Sequence, residues 1–149
     1  MAKTALFMEN TEISAERTAS EISSCLIQAG ANQIACDYED GKIKGLRWTM
    51  KKDGMDLLFH MPARVEPVYR LLLKRNSSRS LAKIREQAER VAWRQLYRWV
   101  QAQMAMIQTG MVQPSEVFLA YWDDGHGQTL FERMSASRFK ALPSPAQPN

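Results

Sequence analysis

Apolar residues recur at helical spacing over Arg79 to Gly110, thirty-two residues without a proline. At 100° per residue, Ile84, Ala88, Val91, Ala92, Leu96 and Trp99 form one stripe, and Trp93, Tyr97, Val100 and Met104 form a second beside it. The pattern predicts one long helix whose C-terminal half is covered on two sides. Lys83, Arg90, Arg94 and Arg98 share a third face, with Gln87 and Gln101 among them.

The stretches before it carry two different periods. Ser14 reads as the N-cap of a helix from Ala15 to Ala29, with Glu16 in its first turn and Gly30 after its end. That helix should bury Ala15, Thr18, Ala19, Ile22, Cys25, Leu26 and Ala29. The period then falls to two. Ile34, Cys36 and Tyr38 alternate within Gln33 to Tyr38, Leu46, Trp48 and Met50 within Lys42 to Met50, and Met55, Leu57, Phe59 and Met61 within Met55 to Met61. The turns Glu39-Asp40-Gly41 and Lys51-Lys52-Asp53-Gly54 each contain Asp-Gly, a strong hairpin signal. A three-stranded antiparallel meander follows, apolar on one face and mixed on the other, where Ile43, Gly45, Arg47 and Thr49 would lie beside Asp56, Leu58 and His60.

Pro62 ends the third strand, and Val65 to Leu73 reads as a short helix with Val68, Leu71 and Leu72 inward. Arg75 to Ser80 is a basic loop feeding the long helix. Gly110 ends that helix, and Pro114 opens another short one bearing Val117, Phe118 and Leu119. Thr129 to Met134 fits a further helical turn or a short strand. Met1 to Ile13 fits a loose arm, or an edge strand over Ala5-Leu6-Phe7-Met8. Ser135 to Asn149, with three prolines and little to bury, is expected to be a disordered tail. The expected architecture is α+β: an N-terminal helix, a three-stranded antiparallel meander, a long central helix packed on the sheet and a short C-terminal helical cap, one domain over residues 1–134.

A chain of 149 residues is long enough to bury a core without a disulfide or metal. Cys25 and Cys36 are not spaced as metal ligands, and both are expected to be buried, reduced thiols of a cytoplasmic protein. No apolar run reaches the length of a membrane span, so no membrane partner is expected. The net charge of +4 is unevenly placed: −2 over Met1 to Ala63, +7 over Arg64 to Gln101 and −1 beyond. Cations so concentrated favour phosphate-bearing partners.

Three groups of residues are candidates for chemistry. Arg90, Arg94 and Arg98, one helical turn apart, stand about 6 Å from each other, near the spacing of successive phosphates on a strand. Arg75, Arg79 and Lys83 extend this track into the loop, and Lys51 and Lys52 could add to it from the hairpin turn. The alternative is a solvated face whose arginines pair with Glu86, Glu89 or acids of the first helix. Trp48, Trp93, Tyr97 and Trp99 could stack on bases, although all four also fit apolar stripes. Asp123, Asp124 and His126 cluster in a glycine-flanked loop that reads as a solvated turn. An active site there would require this loop to meet His60 or an acidic residue in a pocket. With no phosphate loop, nucleophile motif or metal-ligand pattern in the sequence, the expectation is a non-catalytic protein without a cofactor or metal.

Ser14-Ala15-Glu16-Arg17-Thr18, Tyr38-Glu39-Asp40-Gly41, Arg85-Glu86-Gln87-Ala88-Glu89-Arg90-Val91-Ala92-Trp93-Arg94 and Glu116-Val117-Phe118-Leu119 carry a resemblance. Over about residues 14 to 134 the chain resembles a family of small, mostly uncharacterised proteins of bacterial phages, prophages and other mobile elements. The element order and the basic helix are also similar in layout to the core of Rad52-type single-strand annealing proteins. The +7 segment and the line of arginines, set beside these resemblances, give the expectation of a protein of the bacterial host's cytoplasm that binds nucleic acid, single-stranded DNA before duplex, in support of annealing or recombination. The alternative they leave open is an interaction protein that binds a host defence or replication factor, or sequesters a nucleotide signal. A homo-oligomer is compatible with either.

Overall fold

The computed structural model describes residues 4–145. Its elements run α1 (Ala15–Gln28), β1 (Ala31–Glu39), β2 (Lys42–Lys52), β3 (Met55–Pro62), α2 (Val65–Arg75), α3 (Leu81–Gln108), α4 (Pro114–Val117), a 3₁₀ turn (Leu119–Tyr121) and α5 (Leu130–Ala136). The fold is α+β, with an antiparallel sheet in the order β1-β2-β3. Among the described residues no helix is long and apolar enough to cross a membrane.

Both hairpins close through two residues in the left-handed region. Asp40 (φ 52°) and Gly41 (φ 74°) join β1 to β2, and Asp53 (φ 52°) and Gly54 (φ 78°) join β2 to β3. Positive φ at both positions is the type I′ turn, whose twist matches that of the paired strands. The second strand therefore extends to Lys52, opposite Met55. Lys44 is an extra residue in β2, since Asp37 faces Gly45 while Tyr38 faces Ile43. That bulge interrupts the alternation, and Ile43, expected on the mixed face, is buried instead.

The helix ends follow the capping logic. Ser14 and Ser80 accept hydrogen bonds from the backbone N–H of Arg17 and Lys83 at 3.2 and 3.3 Å. Arg79 thus precedes α3, one residue before its cap. At the other end, Gly110 (φ 79°) donates to the Ile107 carbonyl and Met111 to that of Met106, a Schellman closure.

The core joins one sheet face to α1, α2 and α3. Ile22 and Leu26 of α1, Leu46 and Trp48 of β2, Phe59 and Met61 of β3, Leu72 of α2 and Ile84, Ala88, Val91, Trp93 and Val100 of α3 are buried together. Phe118 locks the layers. Its ring stands edge-on to Trp48 at 5.2 Å, Phe59 at 6.2 Å and Trp99 at 5.9 Å, so the segment after α4 plugs the gap between sheet and long helix. Leu119, expected beside it, is exposed because the 3₁₀ turn begins there.

Several apolar positions lie outside this core. Cys36 is exposed and Cys25 half-buried, and Tyr38 and Met55 are each 61% exposed. These three residues of β1 and β3 lie on the apolar alternation, but Tyr38 and Met55 sit beside the hairpin turns and Cys36 on the edge strand of the sheet. Leu71 is exposed because α2 turns Val65 and Leu72 inward. The arm is not a strand: residues 7–10 form a turn, and α3 side chains hold the arm's carbonyls. Residues 1–3, and residues 146–149 of the expected tail, lie outside the described residues; the helix at the tail's start continues to Ala136.

Candidate phosphate-binding groove

The expected line of arginines on α3 is interrupted at its centre. Arg94 is only 7% exposed. Its Nη1 donates to Glu21 Oε2 of α1 at 2.8 Å, and its guanidinium covers the Tyr97 ring at 4.4 Å. The Glu21 carboxyl is held below the usual carboxylate range, chiefly by this hydrogen bond. Arg94 therefore joins α3 to α1 and presents no open cation. The pairing with an acid of the first helix, weighed from the sequence, is the one the structure adopts here.

Arg75 is likewise engaged. Its Nε donates to Glu9 Oε1 at 2.9 Å and its Nη2 to the Thr4 carbonyl at 2.8 Å. Gln87 donates to the Glu9 and Thr11 carbonyls, and Gln95 to that of Phe7. Much of the polar face of α3 thus anchors the N-terminal arm. Placing these residues required contacts separated by more than sixty positions, which periodicity does not encode.

What stays open is the region around the start of α3. Arg79, Ser80, Lys83, Glu86, Gln87 and Arg90 border a groove of about 620 Å³. Arg79 and Lys83 are exposed and form no ion pair with any described residue. Arg90 donates its Nε to Gln87 Oε1 at 3.0 Å, which fixes its direction, and its terminal nitrogens pair with no acid among the described residues. The first turn of α3 contains no acidic residue, so no side-chain charge there offsets the positive end of the helix dipole, although Ser80 caps the Lys83 N–H. Among the described residues Glu86 is the one carboxylate on the rim.

The other expected contacts are elsewhere. Arg98 is exposed and donates to Gln101 at 2.8 Å. Lys51 is exposed, and Lys52 donates to Gln113 beyond the far end of α3. A helix of 28 residues is about 42 Å long at 1.5 Å per residue, so Lys51 and Lys52 do not continue the groove. Two of the stacking candidates are inside, Trp48 and Trp93 at 1% and 0% exposed, while Tyr97 and Trp99 are half-buried against the core.

The opposite sheet face carries a second polar cluster, which the sequence only partly suggested. Asp37 Oδ1 and Oδ2 accept from Arg47 Nε at 3.1 and 2.9 Å, and His60 Nε2 lies 3.1 Å from Asp37 Oδ2. Asp123 Oδ2 is 3.9 Å from Arg47 Nη1 and has no hydrogen-bond partner, although its side chain is 2% exposed. Trp122 bridges to Phe59, and Asp123 N–H donates to the Leu58 carbonyl at 2.8 Å, which carries Asp123 beside the sheet. A Cβ on Gly45 would stand 3.2 Å from His60 Nε2 and 3.0 Å from the Met61 carbonyl oxygen. The bare backbone at Gly45 is what lets the imidazole lie across β2 towards Asp37.

Asp123 and His60 thus meet in one cluster around Arg47. Asp124 and His126 do not join it. Asp124 Oδ1 accepts from the His126 and Gln128 N–H groups, which holds its carboxyl below the usual range. Arg47 pairs with Asp37 at the centre of the cluster, and no group of three or more His, Cys, Asp or Glu among the described residues is placed to hold a metal ion.

The chain is thus a single-sheet α+β protein with a cationic groove at the head of its longest helix. Compared with known proteins, it matches no family model, no curated protein and no solved structure.

Proposed function

We propose that the protein binds nucleic acid without catalysis, gripping the phosphate backbone in the groove at the start of α3. The observation that carries this reading is the convergence of Arg79, Lys83 and Arg90 on one groove beside a helix start without acids. Phosphate contacts are made by cations directed outward, and Arg79, Lys83 and Arg90 supply them there. No aromatic residue borders the groove, so the contact is to backbone charge, with no base stacking. Arg98 would extend the track along α3, while Arg75 and Arg94 support the scaffold. In a phage or prophage setting, as the sequence resemblance implies, such a protein would hold strands during annealing or recombination.

Affinity should follow counterion release. Three phosphate contacts give a slope of log K against log salt of about −2.7 on duplex DNA and about −2.1 on single strands. Fluorescence anisotropy with labelled single- and double-stranded oligonucleotides across a salt series measures this. Replacing Arg79, Lys83 and Arg90 together by Ala should abolish the salt-dependent binding and leave thermal stability nearly unchanged, since all three lie at the surface or its margin. Absence of binding at low salt, or binding indifferent to the triple substitution, contradicts the proposal.

A second reading has its own support. The groove volume of about 620 Å³ falls within the range of small-molecule sites, so a free nucleotide signal could be the phosphate-bearing ligand. Competition by mononucleotides against a labelled oligonucleotide distinguishes the two: displacement at micromolar nucleotide favours sequestration.

A further inference from the structure

The two edges of the sheet are treated differently. Beyond β3, Trp122 bridges to Phe59 and Asp123 donates to the Leu58 carbonyl, so that edge is partly capped. Beyond β1, no described strand or bridge pairs with the outer edge. β1 is nine residues long and contains no Lys, Arg or Pro, the residues that commonly guard an exposed edge.

Its geometry selects a partner. The β1–β2 register is irregular between Ala31 and Gln33, where Asn32 is extra in β1, and between Asp37 and Tyr38, where the extra residue belongs to β2. β1 itself is therefore uninterrupted from Gln33 to Glu39, and the midpoint of that stretch is Cys36. We propose that the protein dimerises by antiparallel pairing of β1 with β1 of a second copy, centred on Cys36, to make a continuous six-stranded sheet.

In this register Cys36 faces Cys36, Ile34 faces Tyr38, Ala35 faces Asp37 and Gln33 faces Glu39. Ile34 and Tyr38 form an aromatic–β-branched pair on the helix side, which covers the Tyr38 ring now 61% exposed. No two like charges stand directly opposite. The nearest acids, Asp37 of each copy, are diagonal neighbours, and each is already held by its own Arg47. The edge is complementary to itself, as a two-fold interface requires. The proposal is independent of the groove on α3.

The test combines mass with cross-linking. Light scattering on the intact chain across the micromolar range should give twice the 17.0 kDa chain mass. Tyr38→Lys, at an exposed position, should keep the fold by circular dichroism and weaken dimerisation about tenfold. Opposed Cys36 residues lie within reach of a disulfide. Diamide, which takes up the two hydrogens as the thiols join, should therefore yield a covalent dimer that Cys36→Ser abolishes and Cys25→Ser retains. A monomeric mass at every concentration overturns the proposal. So does an assembly that Tyr38→Lys leaves intact and that Cys36 does not cross-link.

Discussion

Single residues decide which parts of the basic segment remain available. Arg94 is taken out of the binding surface by Glu21, and their pair carries a pH signature. The folded-state pKa of Glu21 is lowered from 4.5, so its stabilisation is complete above that value and is lost as pH falls through the lower folded value. Glu21→Gln should therefore cost about 2 kcal/mol at pH 7, the scale of a hydrogen bond to a charged group, and the gap from the parent protein should close in acid. Urea denaturation of both proteins at pH 7 and at several pH values below 4.5 reads this out. A gap that persists unchanged in acid would mean that the pair contributes nothing through ionisation. Gly45 makes a steric prediction: Gly45→Ala must press on the Met61 carbonyl and on His60, and should destabilise by about 1–2 kcal/mol. The NMR ring chemical shifts of His60 at a single pH should change in the same variant, because a Cβ at position 45 would stand 3.2 Å from its Nε2.

At the scale of elements, Phe118 is the clearest keystone. It touches Trp48, Phe59 and Trp99 at once, so Phe118→Ala should cost about 3–5 kcal/mol, measured by thermal or urea unfolding. A loss below about 1 kcal/mol would mean that the segment after α4 is dispensable to the core. The elements themselves were largely legible in the chain. Ser14, Gly30, both Asp-Gly turns, Pro114 and Gly110 mark boundaries through local backbone chemistry, which needs no knowledge of distant contacts. The same holds for the two stripes of α3, since periodicity reports which faces are apolar. Local signals do not report which side chain an exposed-looking polar residue will meet. Arg75 with Glu9, Arg94 with Glu21, Gln87 with the arm, and Asp123 with the sheet all depend on tertiary approach. Ile43 shows the corresponding failure in a strand: the bulge at Lys44 shifts the alternation, and the adjacent Gly45, a glycine inside the strand, is its local signal. The groove was therefore half legible: Arg79, Lys83 and Arg90 stood among the candidates, while their separation from Arg75, Arg94, Lys51 and Lys52 required the fold.

On the scale of the whole molecule, the +7 charge of the middle segment resolves into two uses. Part of it is internal, pairing α3 with α1 and anchoring the N-terminal arm. Arg79, Lys83 and Arg90 are presented at the head of α3, where an open groove and an acid-free first turn coincide. A dimer through β1 would carry two such grooves and raise avidity for a polymeric ligand if both can engage one molecule. The most direct test of the central claim is the salt dependence of oligonucleotide binding by the parent protein and by the triple Ala variant at Arg79, Lys83 and Arg90. The account predicts a slope of about −2 to −3 for the parent and loss of that dependence in a variant that remains folded. A parent protein that binds no oligonucleotide at low salt, or a variant with the same slope, would contradict it.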